Sequence, residues 1–236
     1  MSEIPRAAVR AVLFDAHGVL ITGRESVGTR YARCAARFGV DLPAWRLDDA
    51  FGRVLRHAPP RVFPDARASE VPALERGWWR ERVRQTFQAT DSTVRFADFD
   101  AFFEAVFRDY EGADAWRCAE GVPRVLRALR ARGLPLGVAS NFDHRLRGVL
   151  QALDLAEFFD VVMTPAECGA AKPDARLFEA ACRALGRSPA ETLYVGEAGE
   201  DDLGAALRAG LQGRDARVGP GLAALPAWLD TLAKLG

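Results

Sequence analysis

The 236-residue chain sets 32 basic against 32 acidic residues and is 49% apolar, the make-up of an ordinary globular protein. Zero net charge gives no basic footprint for nucleic acid or an anionic membrane, so neither is expected as a partner. The length suits one large domain, or a domain with a smaller one inserted.

The opening MSEIPRAAVR lacks the apolar core of a signal peptide, and no run approaches a membrane span, so a cytoplasmic protein is expected. The first legible strand is VRAVLFDA (9–16), short, apolar and closed by an acid. From about residue 22 to 114 only helices are readable. Val27, Tyr31, Cys34, Ala35 and Phe38 make one amphipathic face, ended by Gly39. Leu74, Trp78, Val83 and Phe87 predict a second face, and Phe96, Phe99, Phe103, Phe107 and Tyr110 a third, read as core stripe. The Pro-rich 57–72 reads as a loop within this helical block. Strands return at LPLGVAS (134–140), FDVVMT (159–164) and TLYVGEA (192–198). Helical spacing separates them at Leu146, Val149, Leu150 and Leu153, then at Leu177, Phe178, Ala181 and Leu185. After the last strand it continues at Leu203, Ala206 and Leu207. LQGRDARVG (211–219) is a poor strand. The alternation predicts an α/β fold, a Rossmann-like parallel sheet, with residues 1–21 and 115–236 as core domain and 22–114 as an inserted helical domain.

Cys34, Cys118, Cys168 and Cys182 show neither CxxC pairing nor metal-type spacing, and read as reduced thiols. Lysine is nearly absent: Lys172 and Lys234 are the whole complement, and the other basic residues are arginine. A lysine inside a motif is therefore poorly explained as surface filling, whereas Lys234 reads as solvated.

Ligands of open α/β sheets sit outside the carboxyl ends of the strands. Those ends carry Asp15, then Ser140 and Asn141, then Lys172, then Glu197 with Asp201 and Asp202 close behind. A carboxylate, a hydroxyl, an ammonium and a cluster of acids would meet in one crevice. A carboxylate can attack phosphorus or carbon and split one displacement into two. Attack on a phosphate needs its charge neutralised, which a divalent cation, a lysine and hydroxyl donors supply together.

These motifs resemble those of the haloacid dehalogenase (HAD) superfamily over nearly the whole chain. FDAHGVL resembles its first motif, GVASNFDHRL the second, AAKPDARLFEAA the third and YVGEAGEDDLGAALRAG the fourth. The helical insert resembles the family's type-one cap. Within the superfamily, GWWRERVRQTF and SNFDHRL resemble the haloacid dehalogenase-like hydrolase domain-containing protein 3 group.

The resemblance implies Asp15 as nucleophile, Ser140, Asn141 and Lys172 as substrate-binding groups, and Mg²⁺ held by Asp15, the backbone carbonyl of His17, Glu197, Asp201 and Asp202. Two positions depart from the pattern. His17 stands where phosphatases of the family carry a second Asp for proton transfer, and it reads equally as a replacement acid–base or as a loop residue. Glu197 replaces the usual Asp, one methylene longer before a metal strict about geometry.

Three functions follow. The leading expectation is Mg²⁺-dependent hydrolysis of a small phosphate monoester through an aspartyl-phosphate on Asp15. The second is 2-haloacid dehalogenation by the same Asp without metal. The third is a binding or regulatory protein on a HAD scaffold whose catalysis has weakened. Phosphonate hydrolysis through a cap lysine is discounted, because 22–114 contains no lysine.

Overall fold

The computed structural model describes residues 8–218 and 221–233. Lys234 and the last residue of LQGRDARVG lie outside them. The chain forms two compact units. One comprises the chain up to Thr22, Val62–Pro64 and the chain from Cys118 onward; the other comprises Gly23–Arg61 and Asp65–Arg117.

Seven strands are present among the described residues: β1 (Ala11–Phe14), β2 (Ile21–Gly23), β3 (Trp116–Cys118), β4 (Leu136–Ala139), β5 (Val161–Met163), β6 (Thr192–Gly196) and β7 (Gln212–Asp215). Five make the parallel sheet of the first unit, in the order β5-β4-β1-β6-β7. β2 and β3 form a separate two-stranded sheet. Strand β1 is central, with Val12 opposite Leu136 on one side and Leu193 on the other. All four of its residues are fully buried, as expected of a strand covered on both faces.

The second unit is helical: α1 (Val27–Ala36), α2 (Ala44–Arg56), α3 (Val71–Thr90) and α4 (Phe99–Asp109). Ser26 caps α1 by accepting from the Thr29 N–H at 3.1 Å, and Asp98 caps α4 through the Ala101 N–H at 2.9 Å. Its core is aromatic. Phe96 and Phe102 stack at 4.1 Å, Phe87 meets Phe102 edge-on at 5.0 Å, and Tyr31 lies 6.0 Å from Phe87. The predicted stripe of α4 is core: Phe103 and Phe107 are buried, and Phe96, Phe99 and Tyr110 pack against the same cluster.

The first unit adds α5 (Val122–Arg130), α6 (Leu146–Ala152), α7 (Pro165–Cys168), α8 (Ala175–Ala184), α9 (Leu203–Arg208) and α10 (Leu225–Ala233). Buried Leu177, Phe178 and Ala181 of α8 pack in one cluster with Leu13 and Tyr194. All four cysteines are free, and burial raises each thiol above its ordinary range, which makes none of them a ready nucleophile.

Three sequence readings need correction. The segment read as a poor strand forms β7, an edge strand paired to β6. Its polar residues suit an edge, and the absence of a side chain at Gly213 lets Leu203 and Leu207 of α9 close over it. On α3, Leu74 is exposed, and the buried face runs through Val71, Glu75, Arg82, Val83, Thr86 and Phe87. Two charged residues occupy that face, which an apolar periodicity cannot register. Finally, α2 had no counterpart among the predicted helices; its buried residues are only Leu47 and Ala50.

Phe102 is fully buried at the centre of the aromatic cluster. Phe102→Ala is expected to lower the unfolding free energy by about 3–5 kcal/mol in urea titration, the cost of an aromatic-sized cavity.

Candidate active site

Asp15 directly follows β1, where its N–H donates to the Val195 carbonyl at 2.9 Å and so ties it to the neighbouring strand. The next residues turn tightly. The Leu20 and Ile21 N–H groups both donate to the Ala16 carbonyl at 2.9 Å, and Gly18 adopts φ +82°. A side chain at Gly18 would be strained by that φ and would also collide with the Glu197 carboxylate. His17 sits in this loop and is exposed.

Lys172 is the hub. Its residue is 9% exposed, and its Nζ donates to Asp15 Oδ1 at 2.9 Å, to Asp202 Oδ1 at 2.6 Å and to the Tyr194 hydroxyl at 2.8 Å. An ammonium has three donors, and three acceptors receive them. The Tyr194 hydroxyl in turn donates to Asp202 Oδ1 at 2.5 Å. Asp202 Oδ2 accepts the Glu197 N–H at 2.8 Å. For that carboxylate to reach over β6, residue 196 must lack a side chain, because a Cβ there would strike both Asp202 Oδ2 and the Tyr194 ring.

Asn141 holds the backbone of Lys172 from both sides. Its Oδ1 accepts the Lys172 N–H at 2.7 Å and its Nδ2 donates to the Lys172 carbonyl at 3.0 Å. Sequence reading placed Asn141 on the substrate; in the structure its side-chain amide grips the Lys172 backbone. Ser140 is 2% exposed at the end of β4, and its N–H donates to the Met163 carbonyl at 3.1 Å. Asp143 does cap-like work, accepting the Arg145 N–H at 3.0 Å and pairing with its guanidinium at 2.6 Å.

Glu197 forms an ion pair with Arg217. Asp201 is exposed and takes no part in the network. Asp15, Lys172 and Asp202 therefore meet directly, and Glu197 joins them through its own backbone and the Gly18 loop. Two participants escaped sequence reading. Tyr194 reads as core in an apolar strand, and the only signal was that a buried tyrosine needs a partner for its hydroxyl. Arg217 lies in the polar segment that showed no pattern.

Three carboxylates against Lys172 and Arg217 leave one negative charge in excess. Asp15 and Glu197 each keep a second carboxylate oxygen outside these bonds, hard donors of the kind Mg²⁺ takes. The donor chemistry thus fits a magnesium ion at Asp15 and Glu197. Asp202 is committed to Lys172, Tyr194 and the Glu197 amide.

The family model for haloacid dehalogenase-like hydrolases matches residues 9–210. The chain belongs to that family. Among curated relatives, haloacid dehalogenase-like hydrolase domain-containing protein 3 of Homo sapiens is 34% identical over 193 residues, 81% of this chain and 75% of that protein. Phosphatase MT3486 of Mycobacterium tuberculosis is 31% identical over 201 residues, 79% and 78% of the two chains. Among solved structures, the L-2-haloacid dehalogenase RSc1362 superposes with a TM-score of 0.71 at 20% identity, covering 95% of this chain and all of the other. The parallel sheet with flanking helices is thus the fold of HAD hydrolases.

Burial, and then the charges of Asp15 and Asp202, hold the Tyr194 phenol protonated far above its ordinary range. An unfolded chain ionises this group from about pH 10, so above that pH the folded state binds more protons than the unfolded one. Stability contributed by Tyr194 is complete below about pH 10 and is lost as pH rises further. Urea unfolding between pH 8 and 11 is expected to show this alkaline fall. Tyr194→Phe should lessen its slope by up to about 1.4 kcal/mol per pH unit.

Proposed function

We propose that the protein is a phosphate-monoester hydrolase of the HAD family, working through an aspartyl-phosphate on Asp15. The observation that carries this reading is the Asp15 carboxylate at the end of the central strand, with one oxygen held at 2.9 Å by Lys172. That contact fixes the carboxylate and leaves its other oxygen to attack phosphorus, with the P–O bond to the alcohol breaking as the Asp15 O–P bond forms. Water then attacks the acyl phosphate, returning Asp15 and releasing phosphate. Lys172 supplies positive charge beside the transferring group throughout. The backbone amides of the Asp15 loop lie nearest in sequence to the reacting carboxylate, and Ser140 adds a hydroxyl from the end of β4, the strand next to β1.

The excess negative charge of the site opposes a phosphate dianion. Asp15 and Glu197, with the His17 carbonyl, would hold Mg²⁺, which when bound neutralises charge on the phosphoryl oxygens. Proton transfer to the leaving alcohol falls to His17, the titratable side chain two residues from the nucleophile. Its exposure gives it access to solvent protons.

The test is turnover of a phosphate-ester panel with Mg²⁺. Asp15→Asn should lose at least about a thousandfold in kcat/KM; turnover that survives it sinks the reading. His17→Ala should lose about 10²-fold, with its largest effect on esters of poor leaving groups. Arg217 competes with metal for Glu197, so Arg217→Ala should tighten Mg²⁺ binding measured by isothermal titration calorimetry.

One observation favours a second reading, 2-haloacid dehalogenation. Lys172 and Arg217 already answer Asp202 and Glu197 without metal. Halide release that EDTA leaves unchanged, and that Asp15→Asn abolishes, would decide for it.

A further inference from the structure

Tyr194 puts a hydroxyl into an otherwise apolar run of β6, at a fully buried position between Leu193 and Val195. Packing alone asks only for a ring there, and the ring meets Phe178 edge-on at 5.1 Å. The hydroxyl is a further group, costly to bury unless it is bonded. It is bonded twice, accepting from Lys172 Nζ at 2.8 Å and donating to Asp202 Oδ1 at 2.5 Å.

The strand keeps room for this arrangement. Residues 194 and 196 share one face of β6, and position 196 is glycine. A Cβ there would strike both the Tyr194 ring and Asp202 Oδ2, so ring and carboxylate stand side by side where a side chain is missing.

Asp202 Oδ1 is the shared point. It accepts Lys172 Nζ at 2.6 Å as well as the Tyr194 hydroxyl, whereas Asp15 Oδ1 holds the same ammonium at 2.9 Å. The lysine thus stands between two carboxylates, closer to Asp202 than to Asp15. A carboxylate oxygen that serves two donors divides its lone pairs and its charge between them. By donating to Asp202, Tyr194 weakens that carboxylate's hold on the ammonium. By accepting from Lys172, it occupies the third N–H and stops the ammonium from turning.

We propose that Tyr194 is a positioning residue for Lys172, its hydroxyl restraining the pull of Asp202 and so keeping the ammonium beside Asp15. The consequence for turnover rests on the phosphatase reading above. The positive charge that Lys172 brings to the transferring group then depends on a hydroxyl sealed in the sheet interior.

Lys172 and Lys234 are the two lysines of the chain, so NMR of ¹⁵N-labelled lysine reads the ammonium directly, with Lys172→Met assigning its signal. Hydrogen exchange of that ammonium is compared in the full-length wild type, Tyr194→Phe and Phe178→Leu, each shown by thermal melting to be folded. Tyr194→Phe keeps the ring and removes only the hydroxyl. Phe178→Leu removes the ring beside Tyr194 and keeps the hydroxyl, so it shows what lost packing does alone. Exchange in Tyr194→Phe should be at least about fivefold faster than in the wild type, the effect of one lost hydrogen bond. In Phe178→Leu it should stay within about twofold. Wild-type exchange in Tyr194→Phe, or equal acceleration in both variants, overturns the proposal.

A kinetic arm uses the phosphate ester that the wild type turns over best. Tyr194→Phe should lower kcat about tenfold with KM within about twofold, the pattern of an interaction lost in the transition state. Phe178→Leu should leave both constants near those of the wild type. An unchanged kcat in Tyr194→Phe overturns the proposal even where exchange accelerates. Should the wild type turn over no ester, the phosphatase reading fails, and the exchange of the ammonium still judges Tyr194 alone.

Discussion

The bonds of Lys172 Nζ to Asp15, Asp202 and Tyr194 hold the chemistry of the first unit together. An almost buried ammonium is tolerable only where every donor finds an acceptor, and here two carboxylates and a phenol provide them. Each partner is fixed in turn: Asp15 by the ladder between β1 and β6, Asp202 by the Glu197 amide, Tyr194 by the sheet interior. Asn141 grips the lysine's own backbone. The Asp15 oxygen on the lysine therefore has little freedom, and a nucleophile held in one orientation needs little reorganisation when it reacts.

Charge placement differs between the two units. In the first, acids outnumber the cations that face them, which suits a site that accepts a cation along with its substrate. In the second, buried Arg30 faces Asp109 and Glu25, and Arg61 lies beside Glu75.

How much of this was legible depended on whether the signal was local. Apolar runs closed by polar residues marked β1, β4, β5 and β6, because a parallel strand buried on both faces has to be continuously apolar. Their ends pointed to Asp15, Lys172 and Asp202 together, and the near-absence of lysine singled out Lys172. The paired amide of Asn141 could not be read, since it depends on a partner 31 residues away. Tyr194 was hidden by its apolar neighbours, and its role is set by acids brought in from two other segments. On α3, Glu75 and Arg82 occupy buried positions that a count of apolar residues skips, so the face came out rotated toward Leu74.

Strand β7 was hidden for the opposite reason, its polarity, and that polarity has a use. It is the outer strand of the sheet, with one side paired to no strand among the described residues. An apolar, β-branched segment there would offer a template to any extended chain it met. QGRD offers a glycine, an arginine drawn over the Trp228 ring at 4.7 Å and an aspartate, a poor surface on which to add a strand. The composition that makes β7 read as a poor strand also keeps the sheet from growing into a neighbouring molecule.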